Sequence, residues 1–564
     1  MISVSGRKWE QIKTSNNLTE KIKQDFDFSE IVSKLVLSRK FNQTELNSIN
    51  NQIKVNNVFL KNVDFDKSIK LLISSINKGD NICILGDYDV DGSTATSLFI
   101  RFFESINHPF FYYIPDREKD GYGATKKLFQ KLILKKPKLV IMLDCGSTSH
   151  EAIKFLNDNE IKSMIIDHHE INKPFPKANC IINPKKDNGY KEFDYLCATT
   201  LVYFFLDSLT RRIKCKLKIS DYLIYVLLAT VCDVMPLRKL NRLIALEALK
   251  GFDINKNIAL KMLFSLNEKK NKLTIDDLGF LIGPILNAGG RLGKSAYATE
   301  LLSSNNLNVV TKLSNKLINL NNRRKNFEKK TLENINFQKI HEDNKDVIIY
   351  YNSSINEGLI GIIAARLKDH FNKPAIVITN SGNLLKGSAR SVSRYNIGRT
   401  IKNTLDKKII VNGGGHNMAA GFSLKKDNLN NFVEYILEDY SKTISFKNSI
   451  SLYDAQVSTK AFNANFYMEI KKLEPFGSEN QKPIFLFKDL KVIKINILDN
   501  NHLSLILKSK VGPSIKSISL NSINNKIGQH LLNYKKNFNV LGQIDENIWN
   551  NKKVLQLIIL DLII

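Results

Sequence analysis

Five short apolar runs alternate with stretches of helical periodicity in the first third of the chain: Asn81–Gly86 (NICILG), Phe110–Ile114 (FFYYI), Leu139–Leu143 (LVIML), Ile161–Ile166 (IKSMII) and Cys180–Ile182 (CII). Alternation of this kind predicts a mostly parallel sheet flanked by helices. Acidic motifs follow three of the runs directly: GDYDVDG (Gly86–Gly92), LDCGS (Leu143–Ser147) and IIDHHE (Ile165–Glu170). Their carboxylates are therefore expected at the carboxyl ends of neighbouring strands, where open α/β sheets place ligands.

With 564 residues the chain is long enough for several domains. Residues 1–55 are polar, helix-like in period, and read as an arm. Residues 56–235 hold the acidic motifs. Residues 236–335 read as a helical connector, ending in the charged run Asn321–Lys330 of a long linking helix. A second α/β pattern over 336–445 starts at Val347–Tyr351 and ends in the glycine cluster Asn412–His416. Over 446–564 short strand-like runs recur, as in a small β-barrel of the OB type.

Lys and Arg exceed Asp and Glu by 83 − 55 = 28, with a pI near 9.5. That charge favours a polyanionic partner such as nucleic acid; a generic solvated surface in a Lys-, Asn- and Ile-rich chain is the other reading. Cys83, Cys145, Cys180, Cys197, Cys215 and Cys232 show no C-x-x-C spacing and mostly lie in apolar segments, as thiols of a reducing compartment do. The start MISVSGRKWEQIK lacks the apolar core of a signal peptide, and the apolar stretch near Tyr222–Cys232 is about half a membrane span. The expectation is a cytoplasmic protein with no membrane partner.

Read singly, the motifs are ambiguous. Asp87, Asp89 and Asp91 would share one face if they continued a strand, with a glycine turn bending them around a metal, but a polar turn has the same letters. Asp144 before Cys-Gly-Ser, taken alone, reads as a turn or helix cap rather than as a ligand. The run Asp167-His168-His169 is sharper, because paired imidazoles at a strand end suit a metal or phosphate site. Asp233 follows the apolar LLATVC of Leu227–Cys232, where an unpaired carboxylate is costly. Two carboxylates about 4 Å apart repel by roughly 4 kcal/mol at an effective dielectric near 20, so a cluster of them needs cations. Oxygen ligands with one or two imidazoles suit Mn²⁺ or Mg²⁺, and a pair of ions suits phosphoester hydrolysis. In the second lobe, Gly413, Gly414 and Gly415 permit close approach to a phosphate, with His416, Ser388 and Arg390 completing an anion pocket; a glycine turn beside a surface arginine is the alternative. Asn287–Leu292 (NAGGRL) has the same glycine-plus-arginine logic, and Phe476, Phe485 and Phe487 are aromatics for stacking or for core.

The order GDYDVDG, LDCGS, DHH, ATVCDVMPL resembles that of the DHH phosphoesterases. Further segments look like those of the family's bacterial single-stranded-DNA-specific 5′→3′ exonucleases: PDREKDGYG (Pro115–Gly123), GPILNAGGRLG (Gly283–Gly293), NEGLIGIIAARL (Asn356–Leu367), KGSARS (Lys386–Ser391), GGGHNMAAGFSL (Gly413–Leu424) and LEPFGSENQKPIF (Leu473–Phe485). The resemblance implies a DHH lobe over 56–235, a DHH-associated substrate-binding lobe over 336–445 and a nucleic-acid-binding barrel over 446–564. It implies that Asp87, Asp89, Asp91, Asp144, His168 and Asp233 hold two Mn²⁺ or Mg²⁺ ions, with Asp144 a bridging candidate. His169, Asp144 and Asp91 are the implied catalytic residues, His169 contacting the scissile phosphate. Arg117, Arg291, Ser388, Arg390, Gly414, Gly415 and His416 are implied to grip the 5′ end of the strand. One departure is Leu85, four residues before Asp89, where several relatives carry a ligating His; Asp87 is its candidate replacement. The implied activity is release of 5′-mononucleotides from single-stranded DNA in recombination and repair, by a monomer working with single-strand-binding protein and a recombination helicase. Two rivals stay open, a DHH-type oligoribonuclease or cyclic-dinucleotide phosphodiesterase and a non-catalytic DNA-binding replication scaffold.

Overall fold

The computed structural model describes the chain except residues 117–119, 121, 122, 187–189, 270, 271, 444–449, 500, 534, 535, 550 and 551 and the side chains of 548, 549 and 552. It divides into two units: Phe59–Cys232 with Asp253–Lys447, and Met1–Val58 with Asp233–Phe252 and Asn448–Ile564.

The larger unit holds two sheets. The first has five parallel strands in the spatial order Phe110–Tyr113, Ile82–Leu85, Leu139–Leu143, Lys162–Ile166, Cys180–Ile182. Strands Ile82–Leu85 and Leu139–Leu143 are buried at every residue, as in a parallel sheet covered on both faces. Chain order and spatial order change direction between these two strands, so the crevice of the sheet opens between their carboxyl ends. Helix Val90–Ser105 packs against Ala198–Thr210, Leu223–Cys232 and Tyr297–Ser303, and all four are rich in buried positions. The linking helix spans Leu307–Glu333, its first turn capped by the Asn306 side chain. The second sheet is mixed, in the order Asn412–His416, Ala419–Leu424, Leu384–Arg390, Ala375–Ser381, Ile348–Tyr351. Only the last two strands pair in parallel.

The smaller unit is organised by a ring of strands. Phe485–Leu498, His502–Lys508, Ile515–Ser519, Lys552–Ile563 and Phe538–Trp549 pair in that sequence, and the last pairs back to the first. This closed barrel is the OB architecture expected of the carboxyl-terminal region. Phe485 and Phe487 are fully buried in its core, where alternate strand residues point inward, and Phe476 packs against that core. Of the two uses weighed for these aromatics, core packing is the one observed. The amino-terminal stretch, read as an arm, is folded into this unit: Lys8–Gln11 pairs in parallel with Ile450–Tyr453, and Val32, Leu35, Val36, Leu46 and Ile49 form a core with Leu473. Helix Lys239–Gly251 of the expected connector belongs here too, where the Arg238 guanidinium bonds the buried Glu45 at 2.6 Å and Arg242 donates to the Leu473 carbonyl at 2.7 Å. No described helix is long and apolar enough to cross a membrane.

Candidate metal centre

The three aspartates of GDYDVDG do not continue a strand as expected. The strand ends at Leu85, the next residues turn, and Asp89 becomes the N-cap of helix Val90–Ser105, its Oδ1 accepting from the Gly92 N–H at 2.9 Å. The turn closes tightly because Gly92 lacks a side chain: a Cβ there would lie 2.6 Å from the Asp87 Cβ. Asp91, in the first helical turn, accepts from the N–H groups of Ala198 and Thr199, both at 2.7 Å, and so also receives the amino-terminal end of helix Ala198–Thr210. Asp144 follows strand Leu139–Leu143 directly with φ of 59°, a left-handed conformation that non-glycine residues adopt where a site requires it.

These placements gather the side chains into one cluster. Ligating atoms of Asp87, Asp89 and Asp144 lie within 4.8 Å of one another, and so do those of Asp144, His168 and His169. The His168 Nε2 is 3.3 Å from Asp144 Oδ1 and 3.7 Å from Asp91 Oδ2. Asp87, Asp91, Asp144, Asp167 and His168 are all buried. Burial, then the charge of Asp89, pushes the Asp87 carboxyl up to about 7. Burial, then Asp91, Asp89 and Asp87, raises Asp144 well above the usual carboxylate range, and burial with Asp91 raises Asp89. Burial, which Asp91 opposes and His169 and Lys185 reinforce, brings His168 down to about 4, leaving a neutral imidazole at physiological pH. Asp144 Oδ1 is enclosed, and no hydrogen-bond donor reaches it among the described residues. Crowded carboxylates, a neutral imidazole and a buried bare oxygen are the donor set of a hard divalent cation. Leu85, by contrast, is fully buried in its strand, and Asp87 is the residue that reaches Asp89 and Asp144.

Asp167 behaves differently from its acidic neighbours. Its Oδ1 accepts from His168 N–H, His169 N–H and His169 Nδ1, and its Oδ2 from Ser147 N–H at 3.0 Å. Burial would raise it, but His169 and Ser147 outweigh that and hold it below the usual range. Asn183 extends the network, its Nδ2 donating at 2.9 Å to both the Ser147 Oγ and the His169 carbonyl. Sequence reading singled out neither Ser147, Asn183 nor Thr199. The one signal for Asn183 is its position directly after strand Cys180–Ile182, at the same edge of the sheet.

In the second lobe, Arg291 Nη1 donates to the Gly358 carbonyl at 3.1 Å, while Arg390 donates to Ser388 Oγ at 3.1 Å. A Cβ on Gly361 would lie 3.0 Å from Arg390 Nη2, so Arg291, Ser388 and Arg390 gather about the segment that starts helix Ile360–Phe371. The glycine cluster is the edge strand Asn412–His416. Its glycines divide: a Cβ on Gly415 would meet the Ala419 carbonyl at 2.3 Å, whereas Gly414 faces open space. Burial, then the charges of Arg390, Lys185 and His169, lowers His416, which places this histidine within electrostatic reach of the DHH run. Arg117 lies outside the described residues. Asp233 stands one peptide bond beyond helix Leu223–Cys232, as the first residue of the smaller unit's central segment. It is followed by Val234 at φ of 57°, rare for a β-branched residue.

Comparison with known proteins gives a consistent pattern. Residues 81–230 match the DHH family, N-terminal domain, residues 344–442 the DHHA1 domain and residues 453–561 the RecJ OB domain. The chain is 25% identical over 576 residues to the single-stranded-DNA-specific exonuclease RecJ of Bacillus subtilis, covering 99% of this chain and 71% of that protein. It is 26% identical over 519 residues to the Escherichia coli protein of the same name, covering 86% and 90% respectively. Its fold resembles the solved structure of RecJ in complex with Mn²⁺ from Thermus thermophilus, with a TM-score of 0.82 at 21% identity, covering 98% of this chain and 79% of that one.

Proposed function

We propose that the chain, whose residues match the DHH family N-terminal domain, the DHHA1 domain and the RecJ OB domain in that order, is a DHH-family single-stranded-DNA-specific exonuclease that degrades from the 5′ end and releases 5′-mononucleotides. The observation that carries the reading is Asp144, a buried carboxylate that belongs to two groups of close-lying ligand atoms and has one oxygen with no donor among the described residues. It would contribute to holding both cations. Asp87, Asp89 and Asp144 would hold one Mn²⁺ or Mg²⁺, and Asp91, Asp144 and His168 the other. When bound, such ions supply Lewis acidity and neutralise the charge that gathers on a phosphodiester under attack.

The protein's own groups divide the remaining work. Asp167 fixes the His169 ring through Nδ1, so the half-exposed ring presents Nε2 to the substrate, where in its protonated form it would donate a hydrogen bond to a scissile phosphate oxygen as negative charge builds. The helix ends at Asp89 and Asp91 keep these carboxylates oriented before the substrate arrives. Arg291, Ser388, Arg390, Gly414, Gly415 and His416, with Arg117, hold the terminal phosphate and set which end is read. The OB barrel, with the chain's excess of 28 positive charges, tracks the rest of the strand.

The test compares 5′- and 3′-end-labelled single-stranded DNA, duplex DNA and short RNA, each with Mn²⁺ or Mg²⁺. Mononucleotides carrying the 5′ label, released before the 3′ label and from single strands only, are the expected products. Equal digestion of duplex, or strict preference for very short RNA, rejects the reading.

A further inference from the structure

Lys185 is a cation near the carboxylate cluster with no role in the reading above. Strand Cys180–Ile182 ends at the same edge of the sheet as the DHH run, and the chain beyond it reads Asn183-Pro184-Lys185-Lys186. The Asn183 side chain donates to the His169 carbonyl and accepts from the Lys185 N–H, both at 2.9 Å. One amide thus fastens both the histidine that would meet the phosphate and the lysine. Lys186 departs to pair with Asp64. Lys185 stays, its Nζ 2.9 Å from the Oε1 of Glu170, the residue after His169.

The two partners in that pair are not alike. The lysine side chain is 24% exposed and the glutamate 69%, so the acid is the one free to swing into water. A half-solvated ion pair of this kind is weak. The lysine's charge also reaches the glycine strand, where, behind burial and Arg390, it contributes to lowering His416. An ammonium group beside the DHH run, whose ion-pair partner among the described residues is a loose carboxylate, is placed for anion exchange.

We propose that Lys185 binds a phosphate oxygen of the substrate, and that Glu170 occupies it until the incoming phosphate displaces the carboxylate. The inference rests on the phosphodiesterase reading above and adds a substrate ligand with its built-in competitor.

The experiment measures kcat and KM on 5′-labelled single-stranded DNA with Mn²⁺ across a salt series, for wild type, Lys185→Ala, Lys185→Arg and Glu170→Gln. Lys185→Ala should raise KM by about tenfold, as expected for a lost charge-assisted bond. It should also flatten the dependence of log KM on log salt by about 0.7, one phosphate contact on a single strand. Lys185→Arg should restore most of both. Glu170→Gln should move the other way, lowering KM severalfold at low salt. KM and slope unchanged in Lys185→Ala, or equal weakening by Lys185→Ala and Glu170→Gln, overturns the proposal, the second outcome marking a structural pair. If Lys185→Ala fails to fold, the Glu170→Gln result decides alone. A wild type inert on single-stranded DNA overturns the proposed function and this inference with it, whereas an active wild type with unaltered variants overturns this inference only.

Discussion

Asp144 in the larger unit and Asp561 in the smaller one are carboxylates of equal burial, 1% and 0% exposed, yet their surroundings are opposite. Asp561 accepts from the hydroxyls of Ser3 and Ser5, the indole of Trp9 and the backbone N–H groups of Ser5 and Leu562. Its charge is fully met from within the protein, and it ties the amino terminus to the last strand of the barrel. Asp144 has an oxygen with no donor among the described residues, and burial, then four neighbouring aspartates, push its proton affinity up. A carboxylate kept for stability brings its donors with it; one kept for chemistry leaves a place for something from outside.

The contrast breaks most visibly at Asp144. Replacing it by Asn should lower cleavage by on the order of 10²–10³, the scale of losing one preorganised charge-stabilising group. The metal-free variant should melt no lower than wild type, because a repelled charge has been removed. A fall of several degrees would make Asp144 structural after all. Asp561→Ala should do the reverse: about 3 kcal/mol of stability lost in urea unfolding, from stranded donors at Ser3, Ser5 and Trp9, with Mn²⁺ binding by calorimetry unchanged. The smallest effect is in pH. Asp87 titrates near 7 in the fold against 3.8 ordinarily, because of burial and the charge of Asp89. Its folded value is raised, so its contribution is fully present below the ordinary value and is lost as pH rises through about 7. In metal-free protein the stability advantage of Asp87→Asn over wild type should therefore grow across that window, and saturating Mn²⁺ should abolish the trend in wild type. In the smaller unit, burial pushes Glu45 up, but Arg238 and the N–H groups of Asn42 and Lys239 hold it below its ordinary 4.5, so its contribution is present above that value and lost as pH falls through the depressed one. Opposite slopes for Asp87→Asn and Glu45→Gln would sharpen the contrast, and parallel slopes would erase it.

The parallel sheet was legible in the sequence because its strands are uninterrupted apolar runs, and the acidic positions were legible because they begin where those runs stop. The way the aspartates converge was not. A strand-like period suggested one face, whereas Asp89 capping a helix and the missing side chain of Gly92 fold the segment back on itself. The bonds of Ser147 and Asn183 around Asp167 and His169, and those of Thr199 to Asp91, join distant segments, which leaves no periodicity to read. The amino-terminal stretch looked like an arm for a similar reason: Trp9 packs with Tyr453, Leu486, Leu541 and Ile563 from the other end of the chain, and the core of Val32 and Leu35 is completed by Leu473.

The all-parallel order of the first sheet has a consequence in time. Parallel neighbours cannot pair through a tight turn, so Leu139–Leu143 docks on Ile82–Leu85 only after a long intervening segment has been made. Asp87 and Asp144 therefore meet late, and no short amino-terminal fragment can assemble the cluster. During synthesis the chain stays chemically silent until most of the DHH domain has emerged.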